Sequence, residues 1–314
     1  MADCNDLFQL FYGKIFLTVP KMKELSKSKD TIRDKIKKHF KDELKKKAPL
    51  FFTQGSYKMG TNVNPIDEEY DIDDGVYLQL DADDSPEVAT VHTWIYNAVD
   101  GHTDEKPTDK NTCIRIRYAG KYHVDLPIYK KNNEKYELAE KGKGWHESDS
   151  KALVDWYKDK KEEKGEQFQK IICLLKAWQD NKSKSGKLAN GLILTVLAYE
   201  NYENDERDDL ALQRTLKNMA RAITKDVKVT NPIDADENLG DRLSEVRKKR
   251  FYDCIQLFSE SSEKAIDEDS KKKACKLWFK EFGDRFTDCD EVEEEEPKKT
   301  TSPVFLKNDD RSAQ

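Results

Sequence analysis

The segment Tyr70-Asp71-Ile72-Asp73-Asp74-Gly75 constrains this chain more than any other. Read as a strand, its period of two puts the carboxylates of Asp71 and Asp73 on one face and Ile72 on the other. Two carboxylates side by side repel each other, and such a pair is stable mainly with a divalent cation between them. Such a pair is either a cation site at a sheet edge or a solvated strand end or helix cap. Val76-Tyr77-Leu78-Gln79-Leu80 continues the strand away from the acids.

Upstream, the apolar run Leu50-Phe51-Phe52 leads to Gly55-Ser56, which reads as a tight turn with free backbone N–H groups and a hydroxyl. That combination suits a phosphate chain. Downstream, residues 112–118 and 122–129 read as two strands, with Ala119-Gly120-Lys121 as the hairpin signal between them. In the second strand Asp125 faces away from Val124 and Leu126. A lone acid in an apolar strand is costly to bury unpaired, so it must meet a metal, a base or the edge of a cleft.

Among 314 residues, 38% are charged, against about 25% in an ordinary domain. The excess is balanced, 56 Lys+Arg against 62 Asp+Glu, so nothing demands nucleic acid as a partner. The six cysteines are scattered without C-x-x-C spacing, which argues against a zinc site or a disulfide framework and for a reducing compartment. No signal pattern opens the chain, and no apolar run approaches ~20 residues. A soluble, cytoplasmic protein without a membrane segment is expected.

Helical spacing covers residues 4–17 and then a long segment, 22–47, with Ile32, Ile36, Phe40 and Leu44 on one face. Its other faces carry Lys35, Lys37, Lys38, Lys41, Lys45, Lys46 and Lys47, a solvated face or a polyanion-binding one. A further helix fits 86–99. Residues 130–150 are polar, contain Gly142 and Gly144, and read as a hinge or lid. Helical periodicity returns around Phe168–Trp178 and Leu192–Tyr199, then at 208–223, 240–260 and 262–282. The acidic end, from about 287, reads as a disordered tail. The division expected is a catalytic-sheet lobe over 1–145, a helical lobe over 146–286 and a tail over 287–314.

With Gly55-Ser56, Asp71-Ile72-Asp73 and Val124-Asp125-Leu126 in hand, the chain resembles the polymerase-β-type nucleotidyltransferases. More narrowly, it resembles the bacterial cGAS/DncV-like nucleotidyltransferases, or CD-NTases. The stretches that carry the likeness are 54–61, 70–77, Gly144-Trp145-His146-Glu147-Ser148-Asp149 and Leu174-Leu175-Lys176-Ala177-Trp178. The resemblance implies an α+β, bilobed fold: a mixed-sheet lobe with a long N-terminal helix, then a helical lobe.

It also implies roles. Asp71, Asp73 and Asp125 become the catalytic carboxylates and the ligands of two Mg²⁺ ions, with Mn²⁺ as an alternative. Gln54, Gly55, Ser56, Ser148, Lys176 and Asn190 become nucleotide-binding. Ser148 would lie beside a nucleobase and leans toward purines; Lys176 would reach the β/γ-phosphates. Two departures stand out: Asp74 replaces a typically hydrophobic residue and reads as a turn cap with Gly75, and Asn190-Gly191 replaces a phosphate-contacting serine. The implied activity is synthesis of a cyclic oligonucleotide, such as cyclic GMP-AMP, from ATP and GTP or other nucleoside triphosphates in anti-phage defence (CBASS). The alternative is a linear oligoadenylate-type or RNA 3′-end transferase. A monomer, a nucleic-acid or protein activator, and attachment of the tail (residues 300–314) by ubiquitin-like machinery complete the implied picture.

Overall fold

The computed structural model describes residues 1–67, 69–81, 84–119 and 121–293. Two helices, α1 (Asn5–Ile15) and α2 (Val19–Asp42), precede β1 (Leu50–Gln54), the short α3 (Gly55–Met59) and β2 (Tyr70–Leu78). Next come α4 (Val88–Val99), β3 (Thr108–Asp109), β4 (Cys113–Tyr118), β5 (Tyr122–Asn132), β6 (Lys135–Glu140) and β7 (Gly144–Glu147). The remainder is helical apart from one small hairpin. It comprises α5 (Ser150–Lys164), α6 (Glu166–Ser183), α7 (Gly191–Asn201), α8 (Asp208–Ala222), β8 (Thr230–Asn231), β9 (Asp234–Asn238), α9 (Glu245–Asp267) and α10 (Lys271–Phe282).

The main sheet is mixed. Its order is β1-β2-β5-β4-β3, with β6 added to β5 and β7 to β6. Among the described residues of this sheet, only β2 and β5 run parallel. Alternation along the strands decides which face is covered. Ile72 and Val76 of β2, Ile114 and Ile116 of β4, and Val124 and Leu126 of β5 are buried against α2 and α4. Those helices return Ile32, Ile36 and Phe40, and Val91, Ile95 and Val99. Each such side chain stabilises the fold by about 1.5–3 kcal/mol relative to exposure. The odd-numbered residues between them face the other way, toward the second layer.

That layer is the helical lobe, with its own core around α6, whose Ile171, Ile172, Leu175 and Trp178 are fully buried. α1 packs here: Phe8 meets the ring of Trp278 edge-on at 4.9 Å, and Phe11 meets Phe282 at 4.8 Å. The result is the α+β arrangement of a mixed-sheet lobe and a helical lobe that the sequence predicts. No helix among the described residues is long and apolar enough to cross a membrane.

Several expectations need correction. Residues 130–150 are not a hinge: β5 runs to Asn132, and β6 and β7 extend the sheet by two hairpins. Lys135-Tyr136-Glu137-Leu138 does alternate, but both strands are short, and Gly142 and Gly144 interrupt the pattern. Gly55-Ser56 opens a one-turn helix and not a simple turn. Asp74 does not cap a turn. It lies inside β2, fully buried on the α2 side, where Arg33 Nε donates to it at 2.7 Å and Thr53 Oγ1 at 3.0 Å. Cys275 and Cys289 form a disulfide, with Cα atoms 5.6 Å apart, because the chain turns back onto α10 after Phe282. Part of the lysine face is neutralised, since Lys37, Lys46 and Lys47 pair with Asp34, Asp84 and Asp81. The tail expected over 287–314 is described only to residue 293; residues 300–314 lie outside the described residues.

Candidate active site

The parallel pairing of β2 with β5 places Asp73 opposite Asp125 and Asp71 opposite His123. Residues in register on neighbouring strands share a face, and so do residues two apart on one strand. Asp71, Asp73 and Asp125 therefore stand on one side of the sheet, the side away from α2. Asp74, one residue on, points to the opposite side.

Over the acids lies a cleft of about 470 Å³ between the sheet, α3, α6 and α7, lined by Gly55, Ser56, Asp71, Asp73, Lys176 and Gly191. The Asp71 side chain is 44% exposed, so it looks into this opening. Desolvation pushes Asp73 well above the ordinary carboxylate range, and repulsion from Asp71 and Asp125 adds to it. Asp71 is raised too, first by desolvation and then by repulsion from Asp125, with His123 working against them. The pair carries a charge problem that a cation would relieve.

Gly55 has a φ of +64°, and a Cβ there would fall 2.1 Å from Oδ2 of Asp73. A bare backbone is the only one that fits in that conformation so close to a carboxylate. Lys176 enters from α6. Its ammonium donates to Thr61 Oγ1 at 2.8 Å and to the Thr61 carbonyl at 3.2 Å, and burial pushes its pKa down. The segment after α3 is tied to α6 at further points: Gln169 donates to the Gly60 carbonyl, and Ile66 N–H donates to Asp180 at 2.9 Å. These bonds fix the cleft wall that carries Lys176.

Asp125 is buried, but its carboxylate is turned along the sheet. Arg115 Nε donates to Oδ1 at 2.7 Å and Arg115 Nη2 to Oδ2 at 2.6 Å. Among the described residues, no three His, Cys, Asp or Glu side chains are gathered closely enough to hold a metal ion. Beside Asp71 sits buried His123, with Nδ1 3.3 Å from Glu69 and Nε2 3.9 Å from Asp71. Glu69 in turn accepts from Arg117 Nε at 3.2 Å.

Arg115, Arg117 and His123 were not singled out from sequence, though a signal exists. Counting outward from the Ala119–Lys121 hairpin aligns residue 115 with 125 and residue 117 with 123, which is the observed register.

The remaining nucleotide-binding candidates are dispersed. Gln54 is buried in register with Asp73, where its amide donates to Tyr129 Oη at 3.0 Å; it does not line the cleft. Asn190 is exposed and caps α7, its Oδ1 accepting from Ile193 N–H at 3.0 Å. Its neighbour Gly191 lines the cleft instead. Ser148 lies in an adjoining cleft of about 530 Å³, with His146, Asn231 and Arg242. Leu153 and Leu192 line both openings, so the two adjoin.

Residues 49–129, the sheet segment with all three acids, match the family model "Cyclic GMP-AMP synthase DncV-like, nucleotidyltransferase domain". The chain is 30% identical over 217 residues to a cyclic GMP-AMP synthase of Escherichia albertii, an alignment covering 65% of this chain and 47% of that protein. It thus spans about half the length of that curated relative. The crystal structure of Vibrio cholerae DncV, a cyclic AMP-GMP synthase, superposes with a TM-score of 0.77 at 20% identity, over 90% of this chain and 97% of that one. The same Vibrio cholerae enzyme in complex with a linear intermediate, pppA(3′,5′)pG, superposes with a TM-score of 0.75 at 20% identity, over 90% and 98%. These structural likenesses establish the fold.

Proposed function

We propose that this chain, which belongs to the bacterial DncV-like nucleotidyltransferases (the CD-NTases), joins nucleoside triphosphates into a cyclic dinucleotide and releases pyrophosphate. ATP and GTP are the favoured substrates, because the relatives it aligns with are cyclic GMP-AMP synthases. The observation that carries this reading is the shared face of β2 and β5, where Asp71, Asp73 and Asp125 stand with Gly55 packed against Asp73.

In the first transfer an acceptor ribose hydroxyl bonds to the α-phosphorus of the donor as the bond to pyrophosphate breaks, and the hydroxyl proton passes to a base. The donor triphosphate lies along Gly55 and Ser56, where the backbone approaches the acids most closely. Lys176 meets its outer phosphates as a point charge. Asp125 takes the acceptor's proton once free of Arg115.

Magnesium or manganese, as a pair of ions, suits this donor set: hard carboxylates, two of them raised by desolvation and by repulsion from acidic neighbours. Asp71, Asp73 and Asp125 would hold it, and when bound it would neutralise charge on the departing pyrophosphate. The adjoining cleft with Ser148 receives the second nucleotide, and a second transfer closes the ring. Anti-phage signalling is the cellular role this reading implies.

The test is pyrophosphate release from ATP, GTP or both in the presence of MgCl₂. Release should be greatest with both and absent from Asp73→Asn. Open-chain products or lengthened RNA would favour the linear-transferase alternative, and no release with any triphosphate would overturn the proposal.

A further inference from the structure

Asp125 holds no free oxygen. Arg115 grips both of them in a fork, from the position directly opposite on β4. A guanidinium matches a carboxylate in this bidentate way better than any other side chain. Both partners are largely shielded, with side chains 17% and 12% exposed, so the pair is little screened by solvent. Asp71 and Asp73 look into the cleft while Asp125 looks at Arg115. Among the described residues, no three His, Cys, Asp or Glu side chains are gathered to hold a metal ion.

We infer that Arg115 is the resting-state counter-ion of the acid trio, holding Asp125 until a metal-bound nucleotide displaces it. The inference rests on the nucleotidyl-transfer reading. The Asp125 side chain is shielded, and Arg115 supplies the positive charge that pairs it. A guanidinium and a divalent cation on one carboxylate repel each other, so the two compete. Without nucleotide, Asp125 stays with Arg115 and the bare site binds metal weakly. With nucleotide, the phosphates would bring a cation to the cleft, and Asp125 would leave Arg115 to join Asp71 and Asp73 in holding it. The third ligand is thus set only when substrate is present.

The test is equilibrium Mn²⁺ binding to nucleotide-free protein, followed by the electron paramagnetic resonance of free Mn²⁺, with Arg115→Met and Arg115→Lys, each with and without Asp73→Asn, beside the wild type. Arg115→Met should bind Mn²⁺ about tenfold more tightly than wild type, since a repelling charge is gone. Arg115→Lys, which cannot fork, should show a smaller gain in the same direction, and carries the test if Arg115→Met does not fold. Added Mn²⁺ should raise the melting temperature of the two single variants more than that of wild type. Equal or weaker binding by both variants would overturn the counter-ion role while leaving the acid site intact. Identical Mn²⁺ binding by the Arg115 variants with and without Asp73→Asn would instead remove the acid site, and the nucleotidyl-transfer reading with it.

Discussion

A methyl group on Gly55 would fall 2.1 Å from Oδ2 of Asp73, so the glycine and the central acid of the cleft occupy mutually exclusive space with any side chain. The same glycine has a φ of +64°. Gly55→Ala should therefore cost about 1–2 kcal/mol through the left-handed backbone and lower kcat/KM by about 100-fold by displacing Asp73. Thermal melting and pyrophosphate-release kinetics on one preparation check both halves. A fully active Gly55→Ala would show that Asp73 is free to sit elsewhere.

Asp73 and Asp74 are neighbours with opposite duties. Asp73→Asn should stabilise the metal-free protein by about 1 kcal/mol, because it removes a repelling charge, and should abolish turnover. Asp74→Asn should do the reverse for stability, costing about 3 kcal/mol, since Arg33 and Thr53 lose a fully buried partner. Denaturant unfolding of the pair reads the two signs directly.

The raised pKa values of Asp71 and Asp73 set the direction of pH effects. A carboxyl raised in the folded state binds its proton more tightly there than in the unfolded chain. The stability it confers is full below the ordinary aspartate value and is lost as pH rises through the raised one. On the proposed reading activity runs the other way, because the ionised pair would be the working form. The acid limb of kcat/KM should fall at a pH above the ordinary carboxylate range, and saturating Mg²⁺ should move it lower. A limb unmoved by Mg²⁺ would contradict the assignment.

Lys176 is held by Thr61 and brushes Gly191, where a Cβ would lie 3.2 Å from its Cε. Lys176→Ala should raise the KM for triphosphate about tenfold and reduce kcat less, the pattern of a lost binding contact. Lys176→Arg should not restore it, because the larger fork has no room beside α7. Steady-state kinetics with the preferred triphosphates decide this.

Much of the site was legible in advance for a simple reason. Strand periodicity is local, so Asp71, Asp73 and Ile72 could be sorted onto faces from spacing alone, and Asp125 likewise. What depended on a partner far along the chain was not legible. Asp74 looked like a turn residue because Arg33, 41 residues earlier, was not visible beside it. The β6 and β7 strands are hard to read because each is short and Gly142 and Gly144 interrupt the pattern, although Lys135-Tyr136-Glu137-Leu138 does alternate. The Cys275–Cys289 bond depends on a turn after α10 that no cysteine spacing reveals. Arg115 was legible in principle, since the hairpin register points straight at Asp125, but it requires counting across the turn and not along one strand.

The most direct test of the central claim is the identity of the product. ATP and GTP with MgCl₂ and the purified protein, followed by phosphatase treatment and mass spectrometry, should give a phosphatase-resistant cyclic dinucleotide with wild type and none with Asp73→Asn or Asp125→Asn. Recovery of only nucleosides from the wild-type reaction, or an undiminished product from either variant, would contradict it.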